Sequence, residues 1–141
     1  MPTRTASAMW IGTLREGQGL MRAGDGVEGP YSARSRFEDG SGTNPEALLG
    51  AAHAGCFSMA LAARLSEAGH EPIRIDTVAK VHLEAHGDGF TIERIDLSTE
   101  AAVPGIDEQT FRREAEEAKK SCPVSRLFAR TDIGLEARLV A

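Results

Sequence analysis

The stretch TNPEALLGAAHAGCFSMALAARLSE, residues 43–67, decides how the rest of the chain is read. Thr43 or Asn44 can cap a helix whose first position is Pro45, since proline lacks only the N–H that a first-turn residue leaves unpaired anyway. Glu46 then stands in the first turn, where the helix dipole favours a carboxylate. Nothing breaks the helix before about Glu67. Leu48, Leu49, Ala52, Cys56, Met59, Ala60 and Ala63 fall on overlapping faces, which predicts a central helix covered on nearly every side. The uncharged run Ala47–Ala63 touches the lower length limit of a membrane span. It is rich in alanine and contains His53, so its hydropathy speaks against insertion.

On the N-terminal side, residues 5–12 and 17–23 read as short strands around the turn Thr13–Glu16, and Tyr31–Phe37 as a third strand. Gly24, Gly26, Gly29 and Pro30 punctuate the link, and EDGSGTNP, residues 38–45, is a loop by composition. On the C-terminal side the period changes. Thr77, Ala79, Val81, Leu83 and Ala85 alternate with Asp76, Lys80, His82 and Glu84, a half-buried strand closed into a hairpin at HGDGF, residues 86–90. The return strand loses alternation at Glu93 and Arg94, which predicts a bulge.

Asp107 caps a second helix, residues 107–121, with Phe111, Ala115 and Ala118 turned inward and its charges turned to water. That helix stops before Pro123, which starts a short third helix over 123–130 with Ser121 or Cys122 at its N-terminal end. Residues 132–140 alternate as a closing strand. The order of elements predicts an α+β fold with antiparallel sheet.

At 141 residues the chain has the size of one domain, 1–141, able to bury a single core. A net charge of -5 and a pI near 5.4 argue against a nucleic-acid surface, which needs clustered Lys and Arg. The N-terminal residues have no apolar run of signal-peptide length, so a cytoplasmic location is expected. Two cysteines make neither a disulfide framework nor a zinc signature. In a reducing compartment a bond between them is more often transient and catalytic than structural.

As residue types, few positions can carry chemistry. Cys56 can pack as a small apolar group or react. Cys122, at a helix start, feels a dipole that favours thiolate. His53 shares a helical face with Cys56, yet no further ligand is tied to that spacing, and a hydrogen-bonded core histidine is the plainer reading. Arg36 and Glu46 taken singly are a solvated charge and a cap; paired beside Cys56 they would stabilise a thiolate. The glycines of GDGVEG, residues 24–29, fit no phosphate-binding motif.

The strings SRFEDGSGTNPEALLGAAHAGCFSMAL (35–61), IDTVAKVHLE (75–84), AVPGID (102–107) and AKKSCPVSRLF (118–128) together resemble the OsmC branch of the OsmC and organic hydroperoxide resistance (Ohr) family. The resemblance implies curved antiparallel sheets packed around long central helices in an intertwined homodimer, whose partner chain would supply the cover of residues 43–67. It implies a thiol peroxidase, without metal, haem or other cofactor, that acts in oxidative or osmotic stress. Its substrates would be organic hydroperoxides and hydrogen peroxide. Cys56 matches the peroxidatic cysteine, Cys122 the resolving cysteine, and Arg36 and Glu46 the arginine and carboxylate of the site. A dithiol, in the family a lipoylated protein, would reopen the Cys56–Cys122 disulfide. The arginine would lower the Cys56 pKa, and apolar neighbours such as Phe57 and Met59 would suit a peroxide tail. A peroxide sensor or redox-regulated binding protein using the same two cysteines is the alternative, and no DNA-binding motif favours it. A structural dimer whose cysteines merely pack would leave both cysteine contexts unexplained.

Overall fold

A computed structural model describes residues 2–129, and the expected closing strand over 132–140 lies outside them. The described residues divide into two compact units, one of residues up to Ala51 with Lys80–Asp96, the other of Ala52–Ala79 with the described residues from Leu97 onward.

In the first unit, β1 (Ala6–Ile11), β2 (Gln18–Ala23) and β3 (Val27–Tyr31) form an antiparallel sheet in the order β1-β2-β3. Met9 stands opposite Leu20, and Leu20 opposite Pro30. The third strand thus lies upstream of its expected position. Gly29 and Pro30, read as linker, are inside β3, where Pro30 is tolerated because an edge strand has a free N–H side. The expected strand over Tyr31–Phe37 is instead mostly a short helix, α1 (Ala33–Phe37). Ser32 caps it: its hydroxyl accepts from Ser35 N–H at 3.1 Å, while Ser35 Oγ accepts from Ser32 N–H at 2.8 Å. This reciprocal capping box overrides the extended preference of the run.

The long helix is α2 (Pro45–Glu67), with the cap where the sequence put it: Asn44 Oδ1 accepts from Ala47 N–H at 2.7 Å. At its other end Gly69 takes φ 87°, with His70 N–H bonded to Leu65 C=O and Gly69 N–H to Ser66 C=O, a Schellman stop. By length and composition α2, with 23 residues and an 18-residue window of mean hydropathy 1.3, could cross a membrane. Among the described residues its cover is one-sided. Glu46, Gly50, His53, Phe57, Leu61 and Leu65 form one buried stripe, while Ala52, Gly55, Met59 and Ala63 are exposed on the opposite face. At 100° per residue, Cys56 falls between the two faces.

β4 (Arg74–His86) and β5 (Gly89–Ala102) form the expected hairpin. On β5, Glu93 bonds His86 and Arg94 reaches His82 at 3.4 Å, and the strand runs uninterrupted through both. In the second unit, α3 (Glu108–Ser121) is capped by Asp107, which accepts from Thr110 N–H at 3.0 Å, and α4 (Pro123–Leu127) follows at once. Phe57, Leu61, Leu65, Ala118 and Cys122 make the core of this unit, with Ile75, Leu97, Ile106 and Phe111 packed against it. Leu61 and Leu65 are fully buried, each contributing about 1.5–3 kcal/mol of apolar transfer.

One charge of α3 departs from the expected solvated face. Glu114 is buried and accepts from Arg64 Nη2 of α2 at 3.0 Å. Without that partner its carboxylate would be an uncompensated charge beside an apolar core.

Candidate active site

The four residues singled out in the sequence fall into two contacts. In the first unit, α1 presents Arg36 and the first turn of α2 presents Glu46. Arg36 Nη2 and Nε lie 2.6 and 2.9 Å from Glu46 Oε1, and Nε lies 3.2 Å from Oε2. The carboxylate is largely buried and the guanidinium partly open. This forked pairing fixes the plane of the guanidinium. Arg36 Cζ also stands 5.3 Å from the Phe37 ring centre, and Phe37 stacks on Phe90 at 4.9 Å. Beside it opens a pocket of about 400 Å³ whose walls include Trp10, Leu14, Tyr31, Arg36 and Phe37. Gly19 lets Trp10 and Tyr31 approach to 5.3 Å, since a Cβ there would come within 2.7 Å of both rings.

In the second unit, Cys56 of α2 and Cys122 at the α3–α4 junction are free thiols with sulfurs 2.9 Å apart. The junction itself makes this contact. Pro123 forbids continuation of α3, so Cys122 ends one helix and precedes the next with its side chain turned into the core. Cys122 is 0% exposed, whereas Cys56 keeps some access to solvent.

The two thiols are not electrostatically equivalent. Burial pushes the Cys56 thiol up, the contact with Cys122 pushes it further, and the Val124 N–H offsets only part of this. Burial also acts upward on Cys122, but there it is outweighed by hydrogen bonds from Cys56, from the Ser125 and Val124 N–H groups and from the Ser125 hydroxyl. Either thiol can donate across 2.9 Å. More donors converge on Cys122 than on Cys56, which is why its thiol is held below the ordinary value while that of Cys56 is held above it. Within this unit, then, Cys56 lacks the lowered pKa that the sequence suggested.

His53 is buried, with Nε2 2.7 Å from Ser125 Oγ and its ring edge-on to Phe128. Burial holds its pKa below the ordinary value. Among the described residues no three His, Cys, Asp or Glu side chains group as a metal set. Phe57 lies in the core of its unit and Met59 is 76% exposed. Sequence reasoning missed Ser125; its signal was the helical spacing of three residues from Cys122.

An α+β chain that turns two free thiols toward each other, and that fixes an arginine by a buried carboxylate, has the make-up of a small thiol-redox protein. Comparison with known proteins gives the family. Residues 38–136 match the family model described as OsmC-like protein. The chain is 46% identical over 138 residues to peroxiredoxin OsmC of Escherichia coli (strain K12), covering 96% of each chain. Over 86 residues, about 60% of either chain, it is 34% identical to an organic hydroperoxide resistance protein-like protein of Mycoplasma pneumoniae. Among solved structures it is similar to the organic hydroperoxide resistance protein OhrB of Bacillus subtilis, with TM-score 0.62, 25% identity and coverage of 86% of this chain and 88% of that one. An OsmC-like protein of Vibrio cholerae shares the fold at TM-score 0.71 and 14% identity, over 89% and 93% of the two chains. The chain belongs to the OsmC family, and its fold is the OsmC/Ohr fold.

Proposed function

We propose that this chain is a peroxiredoxin-like hydroperoxide reductase in which Cys56 attacks the peroxide and Cys122 resolves the product. The observation that carries this reading is the 2.9 Å separation of the two free sulfurs, short of a bond yet within easy closure to about 2.05 Å. Cys56 is the attacking sulfur because it alone of the two retains solvent access. Its thiolate displaces an alcohol from an organic hydroperoxide, or water from hydrogen peroxide, and becomes a sulfenic acid. Cys122 condenses with that sulfenic acid to a disulfide, releasing water. A dithiol, of which a lipoylated protein is the candidate, reopens the bond by exchange.

Burial works against the Cys56 thiolate, so a cation must offset it. Arg36 is assigned that task, together with stabilisation of the leaving alkoxide, and Glu46 holds its plane. The pocket beside Arg36 suits an apolar peroxide tail, since Trp10, Leu14, Tyr31 and Phe37 are among its walls. Homodimerisation is part of this reading. It is supported by the bare apolar face of α2 at Ala52, Gly55, Met59 and Ala63, which a second copy would cover. A pair of cysteines that must cycle between thiol and disulfide suits a reducing compartment such as the cytoplasm, with a role in peroxide defence.

The test is turnover of cumene hydroperoxide with dithiothreitol. Wild type is expected to turn over, Cys56→Ser to lose all activity, and Cys122→Ser to show only weak activity with overoxidation of Cys56. Turnover that survives Cys56→Ser overturns the assignment.

A further inference from the structure

We infer that Phe90, at the tip of the β4–β5 hairpin, is a positioning residue for Arg36, acting through the ring of Phe37. The inference rests on the proposed function for what the guanidinium serves, while the stack of side chains stands on geometry alone.

Arg36 is gripped from two directions. Glu46 accepts from Nη2 and Nε edge-on, in the plane of the guanidinium. Phe37 meets it on its face, with Cζ 5.3 Å from the ring centre, a distance at which the negative face of a ring attracts a cation. The fork acts as a hinge, about which the planar group can still tilt. A contact on its face resists that tilt.

Phe37 does not hold its place by itself. It is the last residue of the five-residue helix α1 and is 39% exposed. Hydrogen bonds tie down the inner side of α1: Ser35 Oγ donates to Thr43 C=O at 2.6 Å, and Asn44 Nδ2 donates to Ser35 C=O at 3.1 Å. They fix the backbone and leave the Phe37 side chain free to turn its ring toward water. Phe90 closes that route, with its ring 4.9 Å from that of Phe37 at an interplanar angle of 30°, a stacked pair.

The hairpin is suited to act as a buttress. Behind its tip, side chains pair across the two strands, His86 with Glu93 and His82 Nε2 with Asp96 Oδ2 at 2.8 Å. Phe90 itself is 57% exposed, so it adds little to a core, and its ring partner among the described residues is Phe37. Phe37 is also a wall of the pocket beside Arg36. One stack therefore sets both the pocket wall and the tilt of the cation. Loosening it leaves the Arg36–Glu46 pair intact, which separates orientation from charge as no change at Arg36 or Glu46 can.

The test uses two replacements at one position. Phe90→Leu keeps apolar bulk and removes the ring, whereas Phe90→Tyr keeps the ring; at this exposure neither threatens folding. Freedom of Arg36 is read from its rate of modification by phenylglyoxal in the reduced protein, quantified by peptide mass spectrometry with the exposed Arg74 as internal reference. Phe90→Leu is expected to raise the Arg36 rate about fivefold, in line with the worth of a stacked ring pair, and Phe90→Tyr to leave it near wild type. An unchanged rate in Phe90→Leu, or a rise that Phe90→Tyr shares, overturns the inference. In a single turnover with cumene hydroperoxide, sulfenic acid at Cys56 should form about fivefold more slowly in Phe90→Leu and at the wild-type rate in Phe90→Tyr. An Arg36 that loosens without slowing this step overturns the positioning role. If wild type consumes no hydroperoxide, the proposed function fails, while the phenylglyoxal rates still decide whether Phe90 holds Arg36.

Discussion

Cys122 Sγ stands 2.9 Å from Cys56 Sγ although 66 positions separate the two residues in the chain. One sulfur lies on the border between the buried and bare faces of α2, and the other is sealed at the break between α3 and α4. Oxidant can reach the first, while the second can respond only through it. This division of access underlies the roles proposed for each.

Arg36 is expected to act on rate rather than on folding. Arg36→Ala leaves the largely buried Glu46 carboxylate unpaired, so it is combined with Glu46→Gln, which removes both charges, and compared with Glu46→Gln alone. Sulfenic acid formation at Cys56 should slow by about tenfold for each unit by which the Cys56 midpoint rises. Stopped-flow measurement of that step, with thermal unfolding as control, checks it. An unchanged rate removes Arg36 from its role. Glu46→Gln should show a smaller effect in the same direction, since it leaves the guanidinium charged but less firmly oriented.

Met59, 76% exposed on the bare face of α2, should matter to assembly. Met59→Glu puts a charge where a second copy would cover the helix, and sedimentation is expected to show monomer in place of dimer. A dimer of wild-type mass in this variant would contradict the proposed interface.

Acid should weaken the second unit through His53. Its folded pKa lies below the ordinary 6.5, so above that value both folded and unfolded forms are neutral and nothing is lost. As pH falls below 6.5 the unfolded chain takes up the proton first, and stability declines until the folded midpoint is passed. The melting temperature of wild type should therefore fall more steeply between pH 7 and 5 than that of His53→Gln. Parallel curves would show that His53 is not held neutral by burial.

Glu114 should carry structural weight that its charge-rich surroundings conceal. Glu114→Ala leaves Arg64 without its partner at the edge of the core, and a loss of about 1–2 kcal/mol is expected after allowance for the partial exposure of Arg64. Denaturant unfolding of the single variant, and of Arg64→Met with Glu114→Leu, measures it. A double variant as unstable as the single one would mean that shape rather than charge is at stake.

Much of this architecture was legible because it is written locally. Asn44 and Pro45 open α2 and Asp107 caps α3, each by chemistry within a few residues. Where sequence reasoning failed, the deciding interaction had an unusual form or lay far away. The capping box of α1 uses Ser35 where Glu or Gln is customary, so its short run read as strand, and Gly29 and Pro30 hid β3. Glu114 sits among charges that do face water, and only Arg64, 50 positions away, marks it as different. The identities of the four site residues could be carried by family motifs. The meeting of the two sulfurs could not, since it depends on α2 and the α3–α4 junction coming together in space.

The most direct test of the account is a single turnover without reductant. Reduced protein is mixed with one equivalent of cumene hydroperoxide, free thiols are counted, and the digested chain is analysed by mass spectrometry. The account predicts loss of two thiols per chain, release of one equivalent of cumyl alcohol, and a crosslinked peptide pair joining Cys56 to Cys122 within the same chain. Unconsumed hydroperoxide with both thiols intact, or oxidation of Cys56 that never passes to Cys122, would contradict it.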